Sequence, residues 1–348
     1  TFIIISILIL IFSIILFYLP EKILNLFIYL ILLSTLIAYL FEAYLTFIKP
    51  KVLTHLKHKQ QIKKEIIYET KYQRKYDNRS SIEIYDDLKK INKNIKIKSN
   101  PYLYKSVNGD VFALSGISNS ETIFCNEAGH YSIYESDRYG FNNPDDQWDQ
   151  DEIDYMMIGD SFAQGFCVNR PFDIASVLRK KYKKNVITLG FSGNGPLTEY
   201  ASFREYYQKN IKKVFWVYYE GNDLSELNSE YKIKILKKYI EDINFKQNLK
   251  NRQKELDMLA NNRLNEDIKN RRNIEYKYYL NFNFTSFIKL YNLKLFIYPM
   301  KEQPNFLIFK QILKLVKRQA TINNSELYFV YLPEYARYKH NYDDTNYL

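Results

Sequence analysis

The sequence contains few cysteines and histidines. Its 348 residues include two cysteines and four histidines. No cysteine or histidine spacing matches a zinc site and no metal-ligand cluster is visible, so we expect neither a metal nor a cofactor. No histidine has an aspartate three residues before it, so the chain holds no Asp-x-x-His pair. There is no internal repeat either.

A nucleic-acid partner is not expected, although the chain is basic. The formal net charge is +11, but the positive residues are spread along polar helices rich in Lys, Asn and Tyr, without a nucleic-acid motif. A basic surface that faces anionic lipid headgroups explains the charge with fewer assumptions. Apolar residues make up 46% of the chain and aromatic residues 17%, which suffices for one main domain besides a membrane anchor.

Two long apolar runs open the chain. Residues 2–19 consist almost wholly of Ile, Leu and Phe, and residues 23–41 repeat the pattern. Each run is long enough to cross a bilayer as a helix. A cleaved signal peptide does not fit the first run, because the run is too long and lacks a small-residue cleavage site. We therefore predict a transmembrane helical hairpin over residues 1–48 and a multi-pass membrane protein.

Three strand-like segments farther along the chain end in residues suited to acyl chemistry. Residues 154–158 lead into Gly159-Asp160-Ser161, residues 186–189 lead into a loop with Gly190 and Gly193, and residues 213–219 lead into Gly221-Asn222-Asp223. The carboxyl ends of parallel strands meet at one edge of a sheet, where ligands bind. A hydroxyl, a backbone N–H and an amide at that edge are what acyl transfer through an oxyanion requires. Three ordinary polar turns are the alternative.

These three segments, in this order, resemble the SGNH (GDSL-type) hydrolase family over residues 154–332. The resemblance implies a flavodoxin-like three-layer α/β sheet with Ser161 as the nucleophile. It also implies an oxyanion hole formed by the N–H of Ser161, the N–H of Gly193 and the side-chain amide of Asn222. Gly190 is a rival for the glycine role, but we prefer Gly193 because it stands after the strand rather than inside it.

The resemblance lacks the histidine that would accept the serine proton. Family members carry an Asp-x-x-His near the carboxyl terminus, where the histidine is the base and the aspartate orients it. His55 and His58 lie in a basic segment next to the membrane, and His130 is expected in a turn or at the surface. His340 follows the last strand and could reach the rim of the crevice, but we do not name it as the base. We expect the chain to be incomplete at both ends, with the acid and base beyond Leu348.

The resemblance implies a membrane-anchored serine hydrolase that cleaves ester-linked acyl groups, from an O-acetylated glycan or from a lipid. Two other interpretations stay open. One is an O-acyltransferase, in which a sugar hydroxyl replaces water. The other is a catalytically inactive binding or scaffold protein that keeps the fold without a base. The predicted partners are the membrane and the ester substrate, and the oligomeric state stays open.

Arguments about the location of the soluble domain point in two directions. Anchored relatives in the family commonly act outside the cytoplasm, which favours an extracytoplasmic domain. The positive-inside rule argues for the cytoplasm, because six lysines crowd the exit of the second apolar run: Lys49, Lys51, Lys57, Lys59, Lys63 and Lys64. Cys125 and Cys167 could form one disulfide or remain buried thiols, so they do not settle the compartment.

The hydrolase domain is expected over residues 101–348, after a juxtamembrane linker. Residues 49–100 are basic and lack a wide apolar stripe, which predicts that linker. The core is expected to begin near residue 151. Residues 224–288 predict a charged, mostly solvent-facing helical insertion, which is either a lid over the site or a structural extension.

Two local predictions complete the picture of the domain. A helix is expected over residues 171–182, because a proline stands near its start. Residues 136–144 resemble stretches that precede the Gly-Asp-Ser block in some membrane-anchored members of the family. Their simplest role is to form turns that pack against the domain.

Overall fold

The computed structural model describes residue 18 and residues 20–98, 111–208, 210–277, 283–298 and 305–339. The helices are α1 Glu21–Ala43, α2 Lys49–Tyr72, α3 Ser81–Lys89, α4 Ser161–Gln164, α5 Ile174–Tyr182, α6 Pro196–Tyr206, α7 Asp223–Glu230, α8 Lys234–Glu241, α9 Gln253–Lys277, α10 Phe284–Ile288, α11 Tyr291–Ile297, α12 Phe306–Ile322 and α13 Tyr335–Lys339. The strands are β1 Ile95–Ile97, β2 Glu121–Ile123, β3 Ile133–Glu135, β4 Ile153–Gly159, β5 Val186–Thr188, β6 Ile211–Tyr219 and β7 Glu326–Leu332. Asp145–Asp149 and Leu249–Arg252 form 3₁₀ helices, and Tyr44–Ile48 forms a π-helical turn.

The chain divides into two compact units. The first comprises residues 1–67 and 279–301, and the second comprises residues 68–278 and 302–348. In the first unit, a continuous helical run begins with α1, and within the described chain this run alone is long and apolar enough to cross a membrane. The second predicted span lies in α1. Except for Tyr18, the first predicted span lies outside the described residues.

The short helices α10 and α11 pack on α1 in the first unit. The carboxylate of Glu42, near the end of α1, is fully buried and accepts the N–H groups of Asn292 at 3.1 Å and Leu293 at 2.7 Å. A carboxylate at the first turn of a helix is favoured by the helix dipole. The hydroxyl of Tyr39 donates to the carbonyl oxygen of Ile288 at 3.0 Å. The last part of the predicted insertion therefore belongs to this unit.

A four-stranded parallel sheet, in the order β5-β4-β6-β7, organises the second unit. After β4 the chain first adds β5 on one side and then crosses over to add β6 on the other side. This reversal creates a switch point between the carboxyl ends of β4 and β6, which is where open α/β sheets bind their ligands. The prediction of an α/β fold with a parallel sheet is confirmed. Residues 154–158 and 213–219, predicted as strands, lie within β4 and β6.

Helices cover the two faces of this sheet unequally. One face packs against α6, α8 and α12 in a large apolar core that buries Trp216 and Phe203 completely. The other face has a smaller cluster, in which Met157 and Val217 of the sheet meet Ala163 of α4 and Ala175 of α5. The aromatic and β-branched residues of the central strands β4 and β6 lie on both faces, as expected for inner strands of a parallel sheet, whereas Tyr328 and Phe329 of the edge strand β7 are exposed.

The helix predicted over residues 171–182 begins three residues later than expected. Its N-cap is Asp173, whose carboxylate accepts the N–H of Ser176 at 2.8 Å. The preceding short helix α4 ends at Gly165, which adopts a left-handed φ of 73°. Asp173 therefore fixes the start of α5, because its carboxylate accepts a first-turn N–H that has no partner within the helix.

Residues 81–97 differ from the predicted juxtamembrane linker. Helix α3 starts with a capping box between Ser80 and Glu83, and its Ile84 is buried in the core. Strand β1 buries Ile95 and Ile97 and pairs with β2, which in turn pairs with β3 in a separate three-stranded sheet. The apolar residues are too few to form a visible stripe, yet Ile84, Ile95 and Ile97 are buried, while Ile91 between them stays exposed.

The predicted solvent-facing insertion also differs from the structure. Helix α8 buries Ile235, Leu236 and Tyr239 against the large core. Helix α9 buries Leu256, Ala260, Leu264 and Ile268 at intervals of four residues, which is one face of a helix. The charged residues occupy the opposite faces. These helices therefore contribute residues to the core.

Candidate functional site

Ser161 stands at the carboxyl end of β4, beside the switch point of the sheet. It is the first residue of α4, and its hydroxyl donates to the Asp160 carboxylate at 3.0 Å. The same carboxylate caps α4 by accepting the N–H of Phe162 at 3.0 Å. Gly159 has a φ of 152°, and a Cβ there would lie 2.6 Å from the carbonyl oxygen of Val217. The turn that presents Ser161 therefore requires glycine at this position.

The loop after β5 separates the roles of the two candidate glycines. The N–H of Gly190 donates to the hydroxyl of Thr188 at 3.1 Å, and a Cβ on Gly190 would lie 2.4 Å from the backbone nitrogen of Gln164. Gly190 thus allows β5 to approach α4 closely. Gly193 has a φ of 90° and is only partly buried.

The N–H of Gly193 differs from its neighbours in having no hydrogen-bond partner within the described part of the chain. The other backbone donors of residues 190–195 are all engaged. For example, the N–H of Ser192 donates to Oε1 of Gln164 at 2.8 Å, and the N–H of Gly195 donates to Oε1 of Glu230 at 2.6 Å. A partly exposed, unengaged N–H at a strand end is what an oxyanion site needs.

Asn222 follows β6 on the other side of the switch point. Burial raises the pKa of the neighbouring Asp160 and Glu226 carboxyl groups, and the Asn222 side chain opposes this shift by favouring their charged forms. Its Oδ1 atom is buried and has no partner among the described residues. The side chain therefore lies close to the Asp160 carboxylate, to which the Ser161 hydroxyl also donates.

The Asp160 carboxylate lies close to several of the predicted site residues. Burial raises the pKa of Asp160, while the N–H of Phe162, the hydroxyl and N–H of Ser161, and the amide of Asn222 lower it. Ser161 and Asn222, which carry two of the three predicted oxyanion donors, thus both lie close to Asp160. A buried carboxylate attracts every donor nearby because an unpaired charge in the interior is costly. Of the three predicted donors, the N–H of Gly193 does not act on the Asp160 carboxylate.

A group of buried carboxyl groups surrounds the switch point, and the sequence interpretation missed it. Burial, reinforced by mutual repulsion, raises the pKa of Asp223 to about 9 and that of Glu226 to about 8, and it also raises the pKa of Glu199. The members of this acidic group are Asp160, Glu199, Asp223, Glu226 and Glu230. In the part of the chain that the structure describes, no set of three or more such groups is placed to hold a metal ion. The spacing 223-226-230 on one helix face was the available signal.

The raised pKa of Glu226 predicts a pH-dependent loss of stability. A carboxyl whose folded-state pKa lies above its unfolded value costs stability as pH rises between the two values, here from 4.5 to about 8. We expect Glu226→Gln to gain stability relative to the wild type across that window and to level off above it. The gain should be on the order of a few kcal/mol, since one pKa unit corresponds to about 1.4 kcal/mol. Denaturant unfolding from pH 4 to pH 9 measures it.

Glu220→Gln is a matched control for this titration. Arg337 lowers the pKa of Glu220 to about 2, so the difference between this variant and the wild type should be constant from pH 4.5 to 8. A constant difference for Glu226→Gln over the same range would show that Glu226 is not held protonated by the fold.

Lys98 also lies at the site, although the sequence predicted that it belongs to the juxtamembrane linker. It follows β1, and its Nζ atom donates to the carbonyl oxygen of Ser192 at 2.9 Å. The ammonium group also lies 5.0 Å from the ring centre of Phe166 and 5.3 Å from that of Phe191. Burial lowers the pKa of Lys98 to about 8, and Glu226 opposes this effect. No local pattern around Lys98 announces the contact, because it depends on how β1 packs.

The segment 136–144 packs against the helix and the strand that carry the site residues. Asp137 is fully buried, and its carboxylate accepts from the N–H groups of Tyr139 and Phe141, the amide of Asn143 and the indole of Trp148, all at 2.8–3.0 Å. This network makes the turn rigid, since each acceptor contact satisfies a buried donor. The predicted packing role is therefore only part of what the segment does.

Two asparagines of this segment reach the elements that carry the site. The amide of Asn142 donates to the carbonyl oxygen of Gln164, at the end of α4, at 2.8 Å. The amide of Asn143 donates to the carbonyl oxygen of Thr188 in β5 at 2.9 Å. The segment consequently fixes both the serine helix and the strand before Gly193.

Histidines take no part in the site among the residues described. His55, His58 and His130 are exposed, and no hydrogen bond joins any of them to Ser161. His340 lies outside the described residues. The predicted surface position of His130 agrees with the structure.

The two cysteines form a disulfide, Cys125–Cys167, with a Cα–Cα distance of 5.2 Å. The bond joins the loop after β2 to the turn that follows α4. The disulfide decides between the bonded and free states of the cysteines, which the sequence left open.

No family model, curated protein or solved structure matches this chain.

Proposed function

We propose that this chain is a membrane-anchored serine hydrolase of the SGNH type that acts on ester-linked acyl groups. The substrate class is an O-acylated glycan or a lipid ester. Ser161 is the nucleophile, and the N–H of Gly193 together with the N–H of Ser161 and the amide of Asn222 binds the oxyanion. In this reaction the serine oxygen bonds to the ester carbon, and the serine proton passes to the alcohol that leaves. Water then bonds to the acyl carbon, the acid is released, and a proton of that water returns to the serine oxygen.

One observation carries the proposal. Ser161 and Asn222 follow adjacent strands on the two sides of the switch point, and the loop after β5, on the other side of β4, leaves the N–H of Gly193 without a partner in the described chain. Ligands of open α/β sheets bind at such a point. The Ser161 hydroxyl and Asn222 amide must turn from Asp160 towards the substrate for the site to work.

A binding protein with the same fold is the second candidate. It is favoured by the lack of a hydrogen bond between Ser161 and any histidine in the described residues. Such a protein would use the same crevice to hold an acylated ligand without cleaving it. An O-acyltransferase would share the serine chemistry and differ only in the acceptor, which a product analysis with added sugar alcohols distinguishes.

The test is covalent labelling of Ser161 by a fluorophosphonate in the full protein solubilised from membranes. Such probes phosphonylate only an activated serine and place their P=O oxygen in the oxyanion hole. Mass spectrometry should find the adduct on Ser161. A protein that binds acylated ligands but leaves Ser161 unmodified at every probe concentration is the binding protein and not the hydrolase.

The disulfide supports an extracytoplasmic position for the second unit, with α1 as a membrane span in a multi-pass protein. Disulfides form and persist in oxidising compartments and are rare in the cytosol. We expect the pair of cysteines to resist a thiol-alkylating reagent in membranes prepared without reductant and to react after reduction. Alkylation of Cys125 and Cys167 before reduction would place the domain in the cytoplasm instead, in line with the lysines of α2.

A further inference from the structure

We propose that Lys98 is a positioning residue for the oxyanion site, which orients and polarises the peptide group between Ser192 and Gly193. This inference rests on the proposed function, because it concerns the N–H of Gly193 as an oxyanion donor. It assigns a role in the reaction to a residue three strands away in sequence from Ser161.

Lys98 binds one half of a single peptide group, and Gly193 supplies the other half. The carbonyl of Ser192 and the N–H of Gly193 belong to the same planar unit, and the one cis peptide bond among the described residues is Arg170–Pro171. In a trans peptide the C=O and the N–H point in opposite directions. When Lys98 holds the carbonyl oxygen at 2.9 Å, it therefore directs the N–H of Gly193 away from itself.

The loop of residues 190–195 is held from two sides, by Gln164 and by Lys98. Gln164 of the serine helix accepts the N–H of Ser192 at 2.8 Å, while Lys98 binds the carbonyl of the same residue. Gly193, with its left-handed φ of 90°, has the conformational freedom that would otherwise let this peptide group rotate. The two contacts remove that freedom, so that the donor is fixed before substrate binds, as oxyanion sites require.

The positive charge of Lys98 also acts on the peptide group that it binds. A cation on a carbonyl oxygen draws electrons from the amide and strengthens its N–H as a donor, and this cooperative effect is larger in a low-dielectric setting. Lys98 lies in such a setting, between the rings of Phe166 and Phe191. The charged groups that act on it are Glu226 of α7 and Arg271 of α9. The arrangement keeps a positive charge one peptide group away from the developing oxyanion.

The test measures the rate at which a fluorophosphonate modifies Ser161 in the full protein. We expect Lys98→Met to lower the maximal rate of modification about tenfold to a hundredfold with little change in the concentration at half-maximal rate. Lys98→Arg, which can still bind the carbonyl with a permanent charge, should restore most of the rate. Hydrogen exchange of the loop at residues 190–195 should be faster in Lys98→Met than in the wild type.

Lys250→Met is the matched control. Lys250 is also a buried lysine with its pKa lowered to about 8, and it also donates to a carbonyl oxygen, that of Tyr207 at 3.4 Å. Its ammonium group lies over Tyr139 and Trp148, away from the carboxyl ends of the strands. We expect Lys250→Met to leave the modification rate within twofold of the wild type.

The outcomes separate the two proposals. An unmodified Ser161 in the wild type rejects the serine hydrolase, whatever Lys98 does. A modified wild type together with an equally fast Lys98→Met protein rejects the positioning role alone. Unchanged hydrogen exchange of the loop in Lys98→Met also rejects that role, and it does so without any activity measurement.

Discussion

Ser161→Ala should abolish ester turnover, with a loss of several orders of magnitude relative to the wild type. The hydroxyl is the atom that forms the bond to the ester carbon, and without it only binding and oxyanion stabilisation remain. In serine hydrolases that residual catalysis is roughly a thousandfold to ten-thousandfold above the uncatalysed reaction, far below the intact enzyme. Turnover of a chromogenic short-chain ester by the full protein is the measurement.

Two further variants make the result specific to Ser161. Ser161→Cys keeps a nucleophile in place and should react with a cysteine-directed reagent, which shows that the side chain is accessible. Ser229→Ala removes an exposed serine of α7 and should leave turnover unchanged. If Ser161→Ala turns over ester at the wild-type rate, a different residue carries the chemistry.

Asn222→Ala should slow the reaction about a hundredfold to a thousandfold, the typical effect of removing one oxyanion donor. The alanine also deprives Asp160 and Glu226 of a neighbouring side chain that favours their charged forms. Both effects act on the chemical step, so the loss should appear in kcat with little change in KM. Steady-state kinetics on the same ester measure the two constants separately.

Asn185→Ala is the matched control for this variant. Asn185 is also partly buried, and its amide also donates to an oxygen atom, the carbonyl of Glu152 at 3.1 Å. It precedes β5 at the opposite end of the sheet from Ser161, so its loss should change kcat less than twofold. Equal effects of the two substitutions would mean that Asn222 acts through stability and not through the oxyanion.

The sequence was sufficient to predict strands β4 and β6 and the residues that follow them. Strands β4 and β6 are continuous runs of apolar and aromatic residues, a pattern that buried parallel strands produce locally. The structure gives the two candidate glycines different surroundings: Gly190 is enclosed by α4, whereas Gly193 has an unengaged N–H in the described chain. Whether that N–H binds an oxyanion stays a prediction.

Long-range packing explains where the sequence was insufficient. The buried residues of α3, β1, α8 and α9 are few and lie among many charges, so their patterns predict exposure. They are buried because each helix or strand uses one narrow face against a core that other elements build. Lys98 belongs to this class, since its contact with Ser192 joins residues 94 positions apart.

The amino-acid sequence by itself determined the apolar helix near the amino terminus, the parallel α/β class and the placement of Ser161, Gly193 and Asn222 at strand ends. These features depend on hydrophobic periodicity and turn chemistry, which act over a few residues. Only the tertiary structure decided the strand order, the disulfide, the buried carboxyl groups around the switch point and the contact of Lys98. Those depend on which distant segments share the interior, where the loss of water changes both the charge state of carboxyl groups and the strength of each hydrogen bond.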